Sequence, residues 1–295
     1  MKLIEGKKIA ENIQQEIKAL IANIDGRKPC LAVIQVGDNV ASQIYVSRKI
    51  QACKDVGMIS VRKSLPPTLT EAELIGFVDE LNNDTDVDGI LVQLPLPHHI
   101  NAIRITQSIS PEKDVDGFHP YNVGRMLIGE TDIFFPCTPL GIKTLLERYS
   151  IEVAGKHVVV VGRSNIVGKP IAAMLMQGLP GGNATVTIAH RFSKDLHEIT
   201  RLADILIVAI GKPKFISAEM IKPGVVIIDV GINRIDDSTV KKGYQIVGDV
   251  DFEAVKELCS FITPVPGGVG PMTIAMLLKN TLNSYYKREG LQVRF

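Results

Sequence analysis

The chain has 295 residues, of which 45% are hydrophobic and 22% are charged. This length can bury the cores of two domains, and the composition is that of a folded globular protein. Because 33 Lys and Arg residues face 32 Asp and Glu residues, no overall field exists to attract nucleic acid or an anionic membrane, and any anion site must be local. We therefore expect small-molecule partners.

The cysteines and the apolar runs of the sequence indicate the compartment in which the protein works. Cys30, Cys53, Cys137 and Cys259 are scattered, without a C-x-x-C pair or a neighbouring His cluster. This argues against a disulfide framework or a zinc site and fits a reducing compartment. The first residues turn charged at once, unlike a signal peptide, and no apolar run reaches the ~18 residues of a membrane span. We expect a cytoplasmic enzyme without a metal.

Helices and strands alternate through the first part of the chain. Apolar residues at helical spacing predict a helix from Ile9 to Ile24, and Thr70 with Glu73 has the pattern of a capping box. Such alternation is typical of an α/β domain with a parallel sheet, whose carboxyl strand ends carry function. The elements expected after the first helix are a strand at 31–36, a helix at 42–56, a strand at 59–65, a helix at 70–81 and a strand at 89–94.

Glycines and prolines are spread through residues 111–139, which predicts a connector with one short helix. We place the first domain boundary here. Thr138 followed by Pro139 has the pattern of an N-cap and first helical residue, predicting a helix to Tyr149. Further on we expect strands at 205–210, 225–230 and 244–247, then a constrained Pro- and Gly-rich run at 263–271 and a last helix at about 272–286.

A possible dinucleotide site lies at residues 155–170. Four consecutive valines predict a buried parallel strand, a turn follows at Gly162, and an apolar helix begins after Gly168. The glycine permits a sharp turn, and the helix N-terminus suits a pyrophosphate. The usual G-x-G-x-x-G pattern is absent, so a purely structural strand-turn-helix stays open.

The next strand, predicted at 184–189, ends in His190 and Arg191, where a dinucleotide fold places an acidic residue on the adenosine ribose. No carboxylate is present there to repel a 2′-phosphate. Arg163 and Arg191 both follow predicted strands and could pair with that phosphate, which favours NADP over NAD. The alternative is two solvated surface arginines.

Two local patterns could carry chemistry. Tyr45 and Lys49 stand one helical turn apart, so a ring and an ammonium share one face beyond a strand end. An exposed helix face is the alternative. Asp114 and Asp116 could bind a metal or accept hydrogen bonds from an aminopyrimidine, and we disfavour the metal because further ligands are not visible nearby.

Several motifs together resemble the bifunctional methylenetetrahydrofolate dehydrogenase/methenyltetrahydrofolate cyclohydrolase family. In chain order they are Tyr45-x-x-x-Lys49, Val92-Gln93-Leu94-Pro95-Leu96-Pro97, Lys113-Asp114-Val115-Asp116-Gly117, Pro136-Cys137-Thr138-Pro139, Gly162-Arg163-Ser164, Asp229-Val230-Gly231-Ile232-Asn233 and Pro264-Val265-Pro266-Gly267-Gly268-Val269-Gly270-Pro271. The resemblance covers nearly the whole chain.

The resemblance implies a two-domain α/β fold. A folate-binding catalytic domain at 1–138, with a parallel sheet, is completed by 265–295, where the C-terminal helix returns to it. A Rossmann-like NADP-binding domain occupies 139–264. A folate cleft would separate the domains, and a homodimer would form through the NADP domains.

The resemblance also implies the residues of the site. The catalytic set is Lys49, Gln93, Tyr45 and Asp116, with Tyr45 stacking on the folate, Gln93 partnering Lys49, and Asp116 binding the pterin. Substrate binding further involves Pro266, Gly267 and Gly268. Cofactor binding involves Gly162, Arg163, Ser164, Arg191 and Ile232.

The activity implied is oxidation of 5,10-methylenetetrahydrofolate with NADP, then hydrolysis to 10-formyltetrahydrofolate, within one-carbon metabolism and purine biosynthesis. The chain departs from the family in two places. The connection at 177–183 is longer than usual, and position 191, often serine in the family, is arginine here. A monofunctional dehydrogenase and a non-catalytic NADP- or folate-binding regulator stay open as alternatives. The chain has no P-loop, which argues against an ATP-driven ligase step.

Overall fold

The computed structural model of the protein describes residues 1–240 and 243–292, without the side chains of residues 40 and 41. By packing, the chain divides into two compact units, Met1–Ala10 with Thr138–Thr273, and Glu11–Cys137 with Ile274–Phe295. We call the first the six-strand unit and the second the three-strand unit, after the main sheet of each. The two-domain α/β fold class is confirmed.

Strands and helices alternate in the first half of the chain, as predicted. The elements there are β1 (Lys2–Leu3), α1 (Gly6–Ala22), β2 (Cys30–Val36), α2 (Val40–Val56), β3 (Ile59–Leu65), α3 (Glu71–Asn83), β4 (Gly89–Val92), α4 (Ala102–Ser108) and α5 (Pro120–Leu127). The three-stranded sheet is parallel, in the order β3-β2-β4. Every residue of the central strand β2 is buried, which suits a strand covered on both faces.

The apolar core of the three-strand unit joins its strands to its helices. Ile34 of β2, Leu74 of α3 and Ile90 of β4 are fully buried in one cluster. Helix α3 begins at the predicted capping box, in which Thr70 Oγ1 accepts from the backbone N–H of Glu73 while the Glu73 carboxylate accepts from the N–H of Thr70. Local sequence therefore sets the start of this helix.

The carboxyl end of α3 is capped by a distant lysine that the sequence did not assign. Lys113 is buried, and its Nζ donates to the carbonyl oxygens of Leu81 (2.8 Å), Asn82 (2.8 Å) and Asp84 (2.6 Å). An ammonium at this end satisfies carbonyls that have no partner within the helix and interacts favourably with the helix dipole. Burial lowers the pKa of Lys113 from its usual value.

The second half of the chain adds a larger parallel sheet. Its elements are α6 (Cys137–Arg148), β5 (His157–Val161), α7 (Gly168–Met176), β6 (Thr185–Ala189), α8 (Leu196–Arg201), β7 (Ile205–Val208), a short 3-10 helix (Ala218–Met220), β8 (Val226–Asp229), β9 (Asn233–Asp236), β10 (Tyr244–Val247), α9 (Phe252–Val255), β11 (Phe261–Ile262) and α10 (Val269–Arg288). The main sheet has the order β1-β11-β8-β7-β5-β6, with every neighbouring pair parallel. Strands β9 and β10 form a separate antiparallel pair.

The order of the larger sheet reverses at β5. Its successor β6 pairs on one side, whereas β7 pairs on the other. This reversal is the topological switch point, outside which ligands bind in doubly wound α/β sheets. The turn after β5, beginning at Gly162, therefore lies at the expected place for a dinucleotide.

The last helix, α10, completes the three-strand unit with its residues from 274 onward. Asn280 Nδ2 donates to the carbonyl oxygens of Val115 (2.8 Å) and Phe135 (3.0 Å), and Ser284 Oγ donates to the carbonyl oxygen of Asp88 (2.6 Å). The predicted return of the C-terminal helix to the first domain is confirmed.

The carboxylate of Asp88 binds Arg288 at the carboxyl end of α10. It is fully buried and accepts from Arg27 Nη1 (2.8 Å), Arg27 Nη2 (2.9 Å) and Arg288 Nη1 (3.0 Å). The side chain of Asp88 also accepts from the backbone N–H of Cys30 (2.9 Å). Such a fully hydrogen-bonded buried carboxylate is costly to deprive of its partners.

Several elements differ from the sequence-based expectation. Helix α4 was not predicted. Helix α6 begins at Cys137, so Thr138 is inside the first turn and is not the N-cap. Helix α10 begins at Val269 and takes in the end of the run that we expected to precede it. Strand β4 ends at Val92, which leaves Gln93 in the loop after the strand.

The first ten residues pack with the six-strand unit and not with the three-strand unit. Lys2 N–H donates to the carbonyl oxygen of Ser260 (2.8 Å) and Ile4 N–H to that of Ile262 (2.8 Å), which ties residues 1–10 to the six-strand unit. The functional boundaries, 1–138 with 265–295 and 139–264, stay a prediction. Residues 293–295 of that prediction lie outside the described part of the chain.

Candidate active site and cofactor site

The predicted catalytic lysine and glutamine contact each other. Lys49 Nζ donates to Gln93 Oε1 at 3.0 Å. Gln93 Nε2 donates in turn to the carbonyl oxygen of Leu94 at 2.7 Å, so the amide presents its oxygen to the lysine. Both side chains are half-buried. Because Gln93 is neutral, it orients the ammonium without adding a negative charge beside it.

Helix α2 positions Lys49 and Tyr45. The side chain of Asn39 caps this helix by accepting from the backbone N–H of Ser42 at 3.0 Å, which fixes the entry into the helix. Tyr45 precedes Lys49 by one turn and is 39% exposed. An exposed aromatic ring on the same helical face as Lys49 could stack on a planar ligand.

Asp116 lies within electrostatic reach of Lys49. Burial raises the pKa of Asp116 above its usual value, while the charge of Lys49 and the thiol of Cys137 oppose part of that rise. Cys137 is fully buried, and its Sγ donates to the carbonyl oxygen of Val115 at 3.3 Å. The structure thus brings Lys49, Gln93 and Asp116 into one cluster, to which Cys137 also belongs.

A pocket of the three-strand unit contains two carboxylates. It is lined by Asp114 and Asp116 together with apolar side chains of β4, α4 and the following loops, including Leu94, Ile105 and Phe118. The recess has a volume of about 20 Å³, which is room for a water molecule and not for a flat ligand. It shows that the carboxyl groups of Asp114 and Asp116 lie among apolar side chains.

Asp114, beside Asp116 in the chain, has a different environment. Its buried carboxylate accepts from the backbone N–H groups of Phe118 (3.2 Å) and His119 (2.8 Å) and from Asn122 Nδ2 (2.9 Å). Burial raises the pKa of Asp114 to about 7. Asp114 thus holds the loop that follows Asp116. Among residues 1–240 and 243–292, no three His, Cys, Asp or Glu side chains are grouped where they could share a metal ion.

The turn after β5 has the compactness that a dinucleotide site requires. Gly162 has φ +131°, and a Cβ there would lie 2.3 Å from the carbonyl oxygen of Ala209. A Cβ on Gly168 would lie 2.2 Å from the carbonyl oxygen of Gly162. Both positions therefore demand glycine. Ser164 Oγ accepts from the backbone N–H groups of Val167 (3.1 Å) and Gly168 (3.3 Å), which shapes the turn at the start of α7.

The two predicted phosphate-binding arginines face one aromatic ring. Arg191 Cζ lies 4.7 Å and Arg163 Cζ 5.8 Å from the ring centroid of Phe192. All three side chains are exposed. The structure thus brings Arg163 and Arg191 together, and Phe192 is a residue that sequence reasoning missed, although it directly follows Arg191.

Ile232 lies after β8, at the carboxyl edge of the larger sheet, and is 51% exposed. The loops of this edge are held by buried Asp249, whose carboxylate accepts from the backbone N–H groups of Ile210 (2.7 Å), Gly211 (2.9 Å) and Lys212 (2.9 Å). No sequence pattern indicated Asp249, because its partners lie in distant loops.

The predicted folate-lining segment belongs by packing to the six-strand unit, unlike Tyr45, Lys49, Gln93 and Asp116. Pro266 precedes Gly267, which has φ +106° and whose carbonyl oxygen accepts from the N–H of Lys7 at 2.8 Å. A Cβ on Gly268 would lie 2.6 Å from the carbonyl oxygen of Pro264. Close packing explains the glycine at 268, and the positive φ explains the glycine at 267.

A doubly wound parallel sheet with a glycine turn at its switch point, joined in one chain to a second α/β unit with a polar cluster, defines a two-domain dinucleotide-binding protein. Family models agree with this class. The tetrahydrofolate dehydrogenase/cyclohydrolase NAD(P)-binding domain matches residues 136–289, and the catalytic domain of the same family matches residues 4–116. The chain belongs to the tetrahydrofolate dehydrogenase/cyclohydrolase family, and the resemblance seen in the sequence is confirmed.

Individual relatives match over the full length. The bifunctional protein FolD of Protochlamydia amoebophila is 65% identical over 291 residues, covering 99% of this chain and 100% of that protein. The FolD crystal structure from Campylobacter jejuni has a TM-score of 0.92 at 49% identity, with 98% and 99% of the chains covered. A Trypanosoma brucei dehydrogenase-cyclohydrolase structure, complexed with NADP and an inhibitor, has a TM-score of 0.91 at 39% identity, with 97% of each chain covered.

Proposed function

We propose that this protein oxidises 5,10-methylenetetrahydrofolate to 5,10-methenyltetrahydrofolate with NADP and then hydrolyses the product to 10-formyltetrahydrofolate. The observation that carries the proposal is the hydrogen bond between Lys49 Nζ and Gln93 Oε1, 3.0 Å long, next to Asp116 in a chain of this family. Family membership supports the substrate class, and the polar cluster supports the presence of both steps.

Tyr45 and Asp116 suit the oxidation step because they can orient the folate. NADP, when bound, accepts a hydride from the one-carbon bridge of the folate. The protein needs to hold the folate in place for that step, since no proton transfer accompanies it. Tyr45 offers its exposed ring to the flat part of the substrate, and the carboxylate of Asp116 accepts from the pterin N–H groups.

Hydrolysis requires proton transfer. Water adds to the methenyl carbon and the ring opens, so a proton leaves the attacking water and another reaches the departing nitrogen. Lys49 is the group of the cluster that can exchange a proton at Nζ. Gln93 keeps Nζ in position by accepting its hydrogen bond at Oε1. This contact favours the bifunctional enzyme over a dehydrogenase alone or a binding protein.

The turn after β5 and its arginines fit NADP. Position 162 admits only a hydrogen in place of a side chain, because a Cβ would meet the carbonyl oxygen of Ala209, and a bare backbone can approach a pyrophosphate closely. Arg163 and Arg191 supply positive charge at the adenosine end, where the chain offers no carboxylate directly after β6. We therefore propose NADP in preference to NAD, with Ser164 and Ile232 as further contacts and Pro266, Gly267 and Gly268 lining the folate pocket.

We also propose that the enzyme is a cytoplasmic homodimer assembled through its NADP domains and contributing to purine biosynthesis. The resemblance to the family supports the dimer, and β6 supports an interface because it lies at one end of the six-stranded sheet with Ile188 40% exposed. Within the described residues, no helix is long and apolar enough to cross a membrane. Light scattering of the purified protein tests the dimer, and a monomeric mass contradicts it.

One assay tests the reaction. Purified protein is mixed with methylenetetrahydrofolate and either NADP or NAD, and the methenyl chromophore is followed as it forms and decays. We expect formation with NADP and decay faster than in a protein-free control. A chromophore that forms and then persists at the uncatalysed rate supports a dehydrogenase alone, and no formation with either cofactor contradicts the proposal.

A further inference from the structure

The ring of Phe192, shortly after β6, is exposed to solvent and lies near the guanidinium groups of two arginines. Phe192 is 66% exposed, more than most large apolar side chains of this protein. Its ring centroid lies 4.7 Å from Arg191 Cζ and 5.8 Å from Arg163 Cζ. Both guanidinium groups are within the ~6 Å over which a ring face attracts a cation. An exposed phenylalanine beside two arginines contributes little to an apolar core, so its place needs another explanation.

The backbone around Phe192 is fixed by a small turn. Ser193 Oγ accepts from the N–H of His190 (2.9 Å), and Ser193 N–H donates to the carbonyl oxygen of His190 (2.8 Å). The N–H of Phe192 donates to Nδ1 of His190 at 3.2 Å. The His190 ring meets the Phe192 ring edge to face, with centroids 6.2 Å apart. The turn therefore fixes the backbone of Phe192, and the His190 ring packs against its ring before any ligand arrives.

An aromatic ring beside two neighbouring arginines can lower the cost of ordering both guanidinium groups for one ligand. Exposed guanidinium groups repel each other and sample many rotamers, so binding a ligand that needs both carries an entropic cost of ordering them. A ring face attracts each cation while leaving its N–H groups free to donate. A phosphate monoester, with two negative charges and three acceptor oxygens, has the chemistry to bind a pair of guanidinium groups arranged in this way.

We propose that Phe192 is a positioning residue for phosphate-monoester recognition, holding Arg163 and Arg191 as a pair that receives the 2′-phosphate of NADP. The inference rests on the proposed use of NADP and adds to it the residue that arranges the two arginines. Phe192 acts through the arginines, so its loss weakens binding of the 2′-phosphate and leaves contacts with the rest of the cofactor intact.

The test compares ligands that differ by this phosphate. Dissociation constants of adenosine 2′,5′-bisphosphate and AMP are measured by calorimetry for the parent, Phe192→Leu and Phe192→Tyr. Leucine keeps the apolar bulk without the ring, and tyrosine keeps the ring. We expect Phe192→Leu to weaken the bisphosphate about 5- to 20-fold, from two exposed cation–π contacts, and to change AMP by less than about twofold. Phe192→Tyr should restore most of the loss.

Two further measurements separate positioning from a structural effect. In kinetics with methylenetetrahydrofolate, Phe192→Leu should raise KM for NADP and leave kcat and KM for NAD near the parent values. In a double-mutant cycle, Phe192→Leu should cost less in an Arg191→Ala background than in the parent, because part of its partner set is gone. Tyr244→Leu is the matched control: Arg234 Cζ lies 4.1 Å from the Tyr244 ring centroid, and its removal should affect neither ligand.

The outcomes distinguish this inference from the proposed function. If the parent binds the bisphosphate no better than AMP, then NADP preference and this inference both fail. If the parent discriminates and Phe192→Leu discriminates equally well, this inference alone is overturned. Equal losses for the bisphosphate and AMP also overturn it, because the ring then serves the adenosine. A Phe192→Tyr variant as weak as Phe192→Leu overturns the cation–π basis.

Discussion

The two units of this protein build their functional residues in opposite ways. In the three-strand unit the polar groups hold one another: Lys49 donates to Gln93 at 3.0 Å, and Gln93 is fixed by its own neighbour's carbonyl. In the six-strand unit a tight glycine turn is fixed by backbone packing, while Arg163 and Arg191 extend into water over Phe192. Under the proposed function, groups fixed by hydrogen bonds perform the chemistry, and exposed charges choose the cofactor.

The largest expected effect comes from removing the proton-exchanging group. Lys49→Gln should lower cyclohydrolase turnover by about 10²–10⁴-fold, the usual contribution of general acid–base catalysis, while dehydrogenase activity stays measurable. The measurement is hydrolysis of methenyltetrahydrofolate beside its formation from methylenetetrahydrofolate and NADP. The methenyl compound should accumulate.

Lys54→Gln is the matched control for Lys49→Gln, because Lys54 is an exposed lysine of the same helix α2. It should leave both activities unchanged. If Lys49→Gln hydrolyses methenyltetrahydrofolate at the parent rate, Lys49 is a helix-face lysine and the proposed mechanism is wrong.

The next effect concerns the exposed charges of the six-strand unit. Arg163→Ala should weaken NADP use by about 1.5–3 kcal/mol, the range for a hydrogen bond to a charged group, and affect NAD much less. The quantity measured is kcat/KM for each cofactor. Arg234→Ala, which removes an exposed arginine stacked on Tyr244, should change neither. Equal losses with both cofactors reject the phosphate role of Arg163.

Substitution of Asp116 should affect both reactions. Asp116→Asn keeps the size but presents an N–H donor to pterin N–H groups, leaving donors unpaired at a cost of about 1–3 kcal/mol in folate binding. The dissociation constant of a tetrahydrofolate ligand and the KM of each reaction measure this effect. Asp55→Asn, an exposed change on α2, is the control. Normal folate binding by Asp116→Asn removes Asp116 from the site.

The smallest expected effect is a pH dependence of stability from Asp114. Its folded-state pKa of about 7 lies above the unfolded value of about 3.9, so the folded state binds the proton more tightly. This contribution is present at low pH and is lost as pH rises through 7. Lowering the pH from 7 to 6 should raise its contribution to the free energy of unfolding by about 1 kcal/mol.

Chemical denaturation at the two pH values measures the Asp114 effect. In Asp114→Asn the difference should shrink by that amount, because the group no longer titrates. Asp229→Asn provides a comparison from the six-strand unit. Burial raises the pKa of Asp229 to about 6, so its removal should change the difference between pH 7 and pH 6 less. An unchanged difference in Asp114→Asn contradicts the assignment.

Helices and strands that are determined by neighbouring residues in the chain were predictable from the sequence. The capping box of Thr70 and Glu73 uses groups within one turn, and β3 and β10 have the bounds that were expected from their composition. Helix α4 was missed because its seven residues include one buried position, Ile105, which is too few to show a period. The two-residue strands β1 and β11 likewise carry no pattern.

The candidate site also contains residues that the sequence indicated and residues that only the folded structure reveals. Local patterns singled out Lys49 and Asp116, and the resemblance added their roles and the pairing with Gln93. The contact between Lys49 and Gln93 gives that pairing a geometry. Cys137 was missed because a lone cysteine has no informative pattern, and its place beside Asp116 arises only in the folded chain. Phe192 was visible beside Arg191, but an aromatic residue after a strand is ordinary until two guanidinium groups are found on its ring.

The attachment of α10 has a consequence for synthesis on the ribosome. The three-strand unit is made of Glu11–Cys137 and Ile274–Phe295, so residues 138–273 are translated between its two parts. At about 5–20 residues per second this interval lasts on the order of ten seconds. During it, the carbonyl groups that Asn280 and Ser284 will bond, and the carboxylate that Arg288 will pair, have no such partners. The first part of the three-strand unit therefore waits for residues 274 onward before these hydrogen bonds can form.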